Sequence, residues 1–404
     1  MTKPHALTRR SVLAGSAGLL AAPALLGRAP VGQAFAAQRG VSDTEIIIGM
    51  MTDLSGVTAV QGSNAANSIR MAFDECNAAG GVNGRKIRFI AEDMEYLVPK
   101  AVQAMNKLVN RDGIFLSIAS GGTPQMDAVL PMMIEKGVPS VFPLTCARSM
   151  YTPLSPYKYG QFSSYYDQMR ACVKYFAEVR GRKVFGCMYQ DTDFGRDILA
   201  GVVDQVKAMG LTMAATSASR PTDTDFNAQV ARLKEAGCDM VCMGTIVKDT
   251  VIILQTARKM GWTPDFCGQF ATYSTAVAEA PGEPAEGFFS MSPGLYAYPD
   301  DPRPAVREVA ARYKQRFGID INYLGEAGYA GAVCLIEALQ RAGRDLNGDT
   351  FQHSMEQIRD WRDMFGGPPL TITPTDHHAS TQSFLSVVKK TRWTPVVSEP
   401  LGYA

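Results

Sequence analysis

The sequence predicts an α/β fold in which parallel sheets are divided between two similar lobes. Short apolar runs alternate with amphipathic stretches of helical length, an order typical of parallel strands joined by right-handed crossovers. Eight such units are too many for one compact open sheet of usual size. A faint internal repeat favours two lobes. The series helix, Gly turn, strand and small polar loop occurs twice, and its loop is Ser120–Thr123 in the first copy and Gly244–Thr245 in the second.

The strand candidates are apolar at nearly every position, as expected of strands that are covered on both faces. They are Glu45–Met51, Lys86–Glu92, Ile114–Ala119, Val138–Phe142, Lys183–Tyr189, Leu211–Ser217, Asp239–Met243 and Asp265–Gly268. The helix candidates between them are Ala65–Ala78, Lys100–Asn110, Pro124–Glu135, Tyr166–Val179, Arg196–Met209, Phe226–Glu235 and Thr250–Met260. We expect further helices over 301–317, 325–342 and 349–359, and a late strand or hairpin over 383–397.

The composition is that of a soluble globular protein. Of 404 residues, 46% are hydrophobic and 20% are charged, with 40 basic against 39 acidic side chains. These values exclude a disordered chain and a small disulfide scaffold. A net charge of +1 also gives no basic surface for nucleic acid or an anionic membrane.

The first 36 residues predict a cleavable export signal. A twin-arginine pattern at Thr8–Leu13 precedes an apolar stretch, which ends in small residues at Ala34-Phe35-Ala36. Gly and Pro interrupt the stretch, which is also short for a membrane span, and the alternative is a chance Arg pair before a buried helix. Cleavage after Ala36 leaves 36 of the 40 basic residues and all 39 acidic residues, a net charge of −3. We therefore expect a soluble, periplasmic mature protein.

Eight cysteines remain in the mature chain, and most of them lie inside apolar runs. They are Cys76, Cys146, Cys172, Cys187, Cys238, Cys242, Cys267 and Cys334. Buried thiols are the favoured interpretation, one or two disulfides are the alternative, and a zinc site is disfavoured because no His lies near them. We expect the adjacent pair His377-His378 to lie in a solvent-exposed loop rather than to bind a metal.

Motifs for common enzyme classes are missing from this sequence. It contains no phosphate-binding glycine loop, no dinucleotide fingerprint, no metalloprotease helix motif and no nucleophile elbow. We therefore expect a protein that is not an enzyme and needs no cofactor or metal.

Small polar loops instead follow the predicted strands in both halves, where parallel sheets bind ligands beside helix N-termini. They are Asp53–Gly56 with Gln61-Gly62, Ser120–Thr123, Leu144–Cys146, Asp191–Gly195, Gly244–Ile246 and Gln269–Tyr273. Plain helix capping is the alternative for each.

Several stretches resemble the periplasmic solute-binding proteins of branched-chain amino-acid (leucine/isoleucine/valine) ABC transporters. The most specific are Ile47–Gly56, Asn77–Ile87, Asp191–Gly195, Thr224–Phe226 and Ala285–Phe288. The resemblance covers essentially all of 42–404 and implies a type I periplasmic binding fold with two lobes joined by a three-strand hinge. It implies lobe I at 37–162 plus 292–372 and lobe II at 163–291 plus 373–404, with hinges near 159–163, 290–294 and 368–374.

The resemblance also implies a ligand site between the lobes. The positions that correspond to family binding residues are Gln61, Ser120, Gly121, Thr123, Leu144, Thr145, Cys146, Phe194, Ile246, Phe270 and Tyr296. Most of the lobe I residues in this set would hold the carboxylate of the ligand. The acidic residue that pairs the ligand's ammonium in the family corresponds to Phe270.

An ammonium buried without a carboxylate costs several kcal/mol, so Phe270 favours a carboxylate ligand that lacks an α-amino group and has an aliphatic or aromatic body. Asp53 or Asp191 could instead pair with an ammonium, which keeps an ordinary amino acid as the alternative. We expect a monomer that delivers its ligand to the membrane permease of an ABC importer. The rival functions are a ligand-sensing receptor subunit and, least favoured, an extracytoplasmic hydrolase.

Overall fold

The computed structural model describes residues 38–403, so the twin-arginine pattern and the cleavage site after Ala36 lie outside the described residues. The strands are β1 (Glu45–Thr52), β2 (Lys86–Asp93), β3 (Leu116–Ile118), β4 (Ser140–Val141), β5 (Lys158–Tyr159), β6 (Val184–Gln190), β7 (Thr212–Ser219), β8 (Met240–Gly244), β9 (Asp265–Gly268), β10 (Phe289–Ser292), β11 (Phe384–Lys389) and β12 (Arg392–Pro395). They form two separate sheets.

The α-helices connect and cover these strands. They are α1 (Ala59–Ala78), α2 (Val98–Asn110), α3 (Thr123–Glu135), α4 (Tyr165–Glu178), α5 (Asp193–Ala208), α6 (Asn227–Glu235), α7 (Val247–Lys259), α8 (Thr275–Ala278), α9 (Pro304–Phe317), α10 (Tyr323–Ala342) and α11 (Gly348–Met355). Two short 3₁₀ turns add Arg148–Met150 and Phe270–Thr272.

The first sheet is entirely parallel and has the order β2-β1-β3-β4-β5. The second has the order β12-β11-β10-β9-β8-β6-β7, in which β11 pairs antiparallel with both β10 and β12 and the other pairs are parallel. The predicted α/β class with doubly wound parallel sheets is therefore confirmed. The 383–397 segment forms the predicted hairpin as β11 and β12.

Each sheet has its own hydrophobic core. Strands β1 and β3 pack with α1, α9, α10 and α11, and we call this half lobe I. Strands β6, β8 and β11 pack with α4, α5 and α7, and we call this half lobe II. The chain therefore passes between the sheets three times, after β5, after β10 and before β11. The exact lobe limits and the hinge positions stay predictions.

The pair His377-His378 lies at the third passage, and the expectation of a solvent-exposed loop is wrong. Both side chains are buried, at 2% and 8% exposure. The His377 ring stacks on Tyr159, and His378 Nε2 lies 2.9 Å from the Phe162 carbonyl oxygen. The two rings therefore fasten the third passage to the first.

All eight cysteines are free thiols, and seven of them are buried, as the favoured interpretation of the apolar runs expects. Burial raises the thiol pKa of Cys172 and Cys187 well above the ordinary value, and a hydrogen bond with Cys172 together with burial does the same for Cys242, which keeps the three thiols unreactive. Within residues 38–403, the helices are too short or too polar to cross a membrane.

Candidate ligand-binding cleft

A cleft of about 730 Å³, partly open to solvent, lies between the two lobes at the carboxyl ends of their parallel strands. Lobe I contributes Thr52, Asp53, Thr58, Gln61, Gly62, Met94, Tyr96, Gly121, Gly122, Thr123, Leu144 and Leu324. Lobe II contributes Tyr165, Phe194, Ile246, Val247, Phe270, Ala271, Tyr273 and Ser274.

The structure brings seven sequence-predicted residues to this wall and leaves four away from it. The seven are Gln61, Gly121, Thr123, Leu144, Phe194, Ile246 and Phe270, and the four are Ser120, Thr145, Cys146 and Tyr296. That any of the seven contacts a ligand stays a prediction.

Ser120 is turned into lobe I rather than into the cleft. Its hydroxyl accepts a hydrogen bond of 2.8 Å from the Met51 backbone N–H and lies 2.8 Å from the Ser117 hydroxyl. Both contacts are buried inside the first sheet, so the Ser120 side chain has a structural role in lobe I.

Tyr296 and Cys146 are also packing residues. The Tyr296 ring lies beside Tyr273 and Tyr323 behind the cleft wall, with ring centroids 6.0 and 6.3 Å away. Cys146 belongs to the hydrophobic core of lobe II, and its backbone carbonyl accepts a hydrogen bond of 2.8 Å from the Tyr165 N–H.

Thr145 supports the wall through Thr123. Their hydroxyl oxygens lie 2.5 Å apart, and both residues are 3% exposed. Two hydroxyls share only one hydrogen in such a contact, so the Thr123 O–H is available to an acceptor in the cleft when Thr145 is the donor. Thr123 is the first residue of α3, where the backbone N–H groups lack partners within the helix.

Helices α1, α3, α5 and α7 are among those that begin at the cleft, and three of these four have an acidic group at that end. Asp53 caps the loop before α1, while Asp193 and Asp249 lie in the first turns of α5 and α7. The first turn of α3 contains no acidic residue. The positive end of its dipole is therefore uncompensated, which makes Thr123 the favoured place for an anion.

Asp53 is the only formally charged residue on the described cleft wall, and the loop before α1 already uses its carboxylate. One oxygen accepts the N–H groups of Ser55 and Gly56 at 3.2 and 2.5 Å, and the other accepts the Thr58 N–H and hydroxyl at 2.7 and 2.8 Å. A carboxylate offers about four acceptor positions. Asp53 therefore has none to spare for an ammonium group.

Asp191 lies outside the cleft. It is exposed and pairs with Arg196, whose guanidinium nitrogen lies 2.9 Å from the carboxylate oxygen. Neither alternative partner that the sequence offered for an ammonium is free in the cleft.

Aromatic rings make the lobe II wall apolar. Phe270 is 2% exposed and packs against Phe162 and Tyr323, with ring centroids 5.5 and 5.8 Å away. Its backbone N–H donates to Gln168 Oε1 at 2.9 Å, which fixes the turn that carries the ring. The Phe270 ring therefore adds a hydrocarbon surface to this wall.

Tyr96 is the most prominent wall residue that sequence reasoning missed. Glu95 and Tyr96 have φ angles of 51° and 55°, a left-handed conformation that is uncommon outside glycine. Gln125 holds the turn, because its Nε2 donates to the Tyr96 carbonyl oxygen at 2.7 Å. No glycine or motif marks this turn in the sequence. The polar loop Asp53–Gly56 just before α1 was the one signal that could have led to neighbouring Thr58.

A family model described as periplasmic binding protein matches residues 45–392. The chain belongs to the periplasmic binding protein family. A relative named Leu/Ile/Val-binding protein homolog 8, from Brucella abortus, is 27% identical over 340 residues, which cover 78% of this chain and 80% of the relative. This family binds solutes outside the cytoplasm, and its members are not enzymes as a class.

Solved structures of periplasmic binding proteins share the fold. One is a fatty acid ABC transporter substrate-binding protein from Thermomonospora curvata, with a TM-score of 0.81 and 23% identity, covering 91% of this chain and 94% of that one. Another is a branched-chain amino acid ABC transporter protein from Thermus thermophilus with bound valine, with a TM-score of 0.79 and 18% identity, covering 89% and 97%. These likenesses confirm the type I periplasmic binding fold.

Proposed function

We propose that this periplasmic binding protein is the solute-binding component of an ABC importer, and that its solute is a small carboxylate without an α-amino group. The carboxylate would lie at the start of α3, and an aliphatic or aromatic body would lie against Phe194 and Phe270. Closure of the two lobes around the ligand would present a surface to the membrane permease.

The observation that carries this proposal is which charged and polar groups line the cleft and which of them already have partners in the protein. The start of α3 offers an uncompensated positive dipole and a free hydroxyl from the Thr123–Thr145 pair. The described wall offers no unengaged carboxylate, since Asp53 is saturated by its own loop. An anion without an ammonium group is the charge type that matches both facts.

The apolar wall supplies the remaining affinity. Burying about 150 Å² of ligand hydrocarbon contributes roughly 4 kcal/mol at ~25 cal/mol per Å². Together with the charged hydrogen bonds at α3, this is enough for micromolar binding, which corresponds to about −8 kcal/mol.

An α-amino acid is the second candidate, favoured by the name of the Brucella relative. Solved structures of this fold include one protein named for fatty acid transport and one with bound valine, so the fold is compatible with either ligand class. The residues of this chain favour the ligand without nitrogen.

A paired thermal-shift panel tests the proposal. Leucine, valine and phenylalanine are compared with 4-methylpentanoate, 3-methylbutanoate and 3-phenylpropanoate, and native mass spectrometry identifies any co-purified solute. At a concentration of ~100 Kd a ligand raises the free energy of unfolding by about 2.7 kcal/mol. We expect the carboxylates to shift the transition. A shift by the amino acids alone would refute the proposal.

Thr123→Val tests where the carboxylate lies. Removing a hydroxyl that bonds a charged group costs about 1.5–3 kcal/mol, so calorimetry should show affinity falling about tenfold to a hundredfold. The folded chain loses only the bond to Thr145.

Ser120→Ala is the matched control, because it removes a hydroxyl three residues earlier that does not line the cleft. It leaves the buried Met51 N–H without its partner, which costs about 1–3 kcal/mol of stability. Ligand affinity should stay within about twofold of the wild type. If Ser120→Ala weakens binding as much as Thr123→Val, the assignment of the carboxylate to α3 is wrong.

A further inference from the structure

The cleft wall is rich in aromatic rings. Five of its twenty residues are aromatic, whereas aromatic residues make up 9% of the whole chain. Lobe II contributes Tyr165, Phe194, Phe270 and Tyr273, and lobe I contributes Tyr96. Burial of hydrocarbon does not require this enrichment, because aliphatic side chains supply apolar surface equally well. The rings therefore bear on the chemistry of the part of the ligand that they contact.

The lobe II rings are held in place by one another and by aromatic residues behind them. Phe194 meets Tyr165 edge to face, with ring centroids 5.1 Å apart and ring planes at 83°. Tyr273 packs against Tyr323 and Trp393, with ring centroids 4.9 and 4.8 Å away. Side chains that are already ordered lose little conformational freedom when a ligand binds. This wall is therefore preorganised to receive a flat ring.

Phe194 lies close to the place assigned to the carboxylate. It is in the first turn of α5, and α5 contacts α3 across the boundary between the lobes. Thr123, at the start of α3, borders one groove together with Asp193, the residue before Phe194. Thr123 and Phe194 also line the cleft itself. A carboxylate at Thr123 therefore brings the adjoining carbon atoms of the ligand to the Phe194 ring.

We propose, on the basis of the proposed function, that the ligand is an aromatic carboxylate whose ring packs against the lobe II wall, with Phe194 as its main contact. Aromatic pairs attract each other beyond the effect of buried area, because the ring edge is positive and the ring face is negative. A saturated body of similar size gains only from the buried area. The cleft therefore selects the aromatic member of two carboxylates that share one carbon skeleton.

Calorimetry with matched carboxylates tests this selection. Benzoate, phenylacetate and 3-phenylpropanoate are compared with cyclohexanecarboxylate, cyclohexylacetate and 3-cyclohexylpropanoate. The cyclohexyl member of each pair has the larger apolar surface, so burial of area alone would favour it. We expect the aromatic member of the tightest-binding pair to bind about fivefold tighter than its cyclohexyl partner.

Phe194→Leu tests the contact itself. Leucine keeps an apolar side chain at this position and removes the ring, so the aromatic preference should fall to about twofold or less. Both members of a pair are measured on the same protein sample. A fraction of unfolded protein therefore leaves the ratio of the two affinities unchanged.

Ile246→Val is the matched control, because Ile246 lines the same cleft with an aliphatic side chain. Its loss of one methylene group should weaken the binding of both members alike and keep the aromatic preference.

Equal or tighter binding of the cyclohexyl member in every pair would overturn the inference and leave the proposed function intact. A preference that survives Phe194→Leu undiminished would also overturn it, as would a preference that Ile246→Val removes to the same extent. If none of the six carboxylates binds while leucine or phenylalanine does, the proposed function itself fails.

Discussion

Asp249→Asn is expected to stabilise the ligand-free protein by about 3 kcal/mol at pH 7.5. Burial raises the pKa of the Asp249 carboxyl from its ordinary 3.8 to about 6, against the opposing effects of Lys248 and Gln190 and with a smaller contribution from Asp223. A raised pKa means that the folded state holds the proton more tightly than the unfolded chain does. The ionised carboxylate therefore destabilises the fold, and the neutral amide removes that penalty.

The gain has a definite pH window. Below pH 3.8 the carboxyl is protonated in both states, and the penalty grows until the pH passes about 6. The difference between variant and wild type should shrink to about 1 kcal/mol at pH 4.5. Urea denaturation at the two pH values measures it.

Asp301→Asn is the control of opposite sign. A hydrogen bond from Arg303 lowers the pKa of the Asp301 carboxyl, with Arg303 Nη2 lying 2.7 Å from its oxygen. Removing this charge should destabilise the protein at pH 7.5. An Asp249→Asn variant that is no more stable than the wild type at pH 7.5 would show that the Asp249 carboxylate is adequately paired in the folded protein.

Strand positions follow closely from the sequence, because the core imposes an apolar pattern on them. All eight predicted strands exist, and the predicted Asp265–Gly268 is identical to β9. Strand β5 was missed because its two residues, Lys158 and Tyr159, lie outside any apolar run, whereas the equally short β4 lies inside the run Val138–Phe142. Strand β10 was missed because it alternates apolar residues with Ser290 and Ser292, whose hydroxyls are buried and bonded to backbone carbonyls.

The first residues of the helices that begin at the cleft are predicted less accurately from the sequence than the strands are, for a reason that is linked to function. Helices α1 and α7 begin at Ala59 and Val247, whereas the apolar period starts at Ala65 and Thr250. Their first turns face the cleft rather than the core, so nothing imposes the helical repeat there. Gln61, a wall residue of the first of these turns, was predicted from the polar residues that follow β1 and from the resemblance to the family.

The partners of the cleft residues were beyond sequence reasoning. Ser120 and Thr123 lie three residues apart in one polar loop, yet one bonds inside the sheet and the other lines the cleft. Tyr96 and Phe270, which line the same cleft, are 174 positions apart in the chain and come from different lobes. Only tertiary structure brings them to one region.

Gly62→Ala is expected to cost about 3 kcal/mol of stability, although alanine is favoured over glycine by about 1 kcal/mol inside a helix. A Cβ atom at Gly62 would lie 2.0 Å from the Asp53 carbonyl oxygen and 2.7 Å from the Thr52 hydroxyl oxygen. The Asp53 carbonyl is part of the backbone and cannot move aside as a flexible side chain can, so α1 must move away from the end of β1. The same shift displaces Gln61 and Asp53 from the cleft wall, and affinity for carboxylates should fall with stability.

Gly121→Ala separates these two effects, because a Cβ atom there meets no other atom within 4 Å and no strained φ angle. The free energy of unfolding should change by less than about 0.5 kcal/mol. The added methyl group enters the cleft next to the start of α3, where the carboxylate would approach the backbone, so affinity should fall about tenfold or more. Urea denaturation and calorimetry on both variants distinguish the cases. Unchanged carboxylate affinity in Gly121→Ala would mean that the ligand lies elsewhere in the cleft. An unchanged free energy of unfolding in Gly62→Ala would mean that α1 and the end of β1 are packed less tightly than the calculated approach of the Cβ atom to the Asp53 carbonyl oxygen implies.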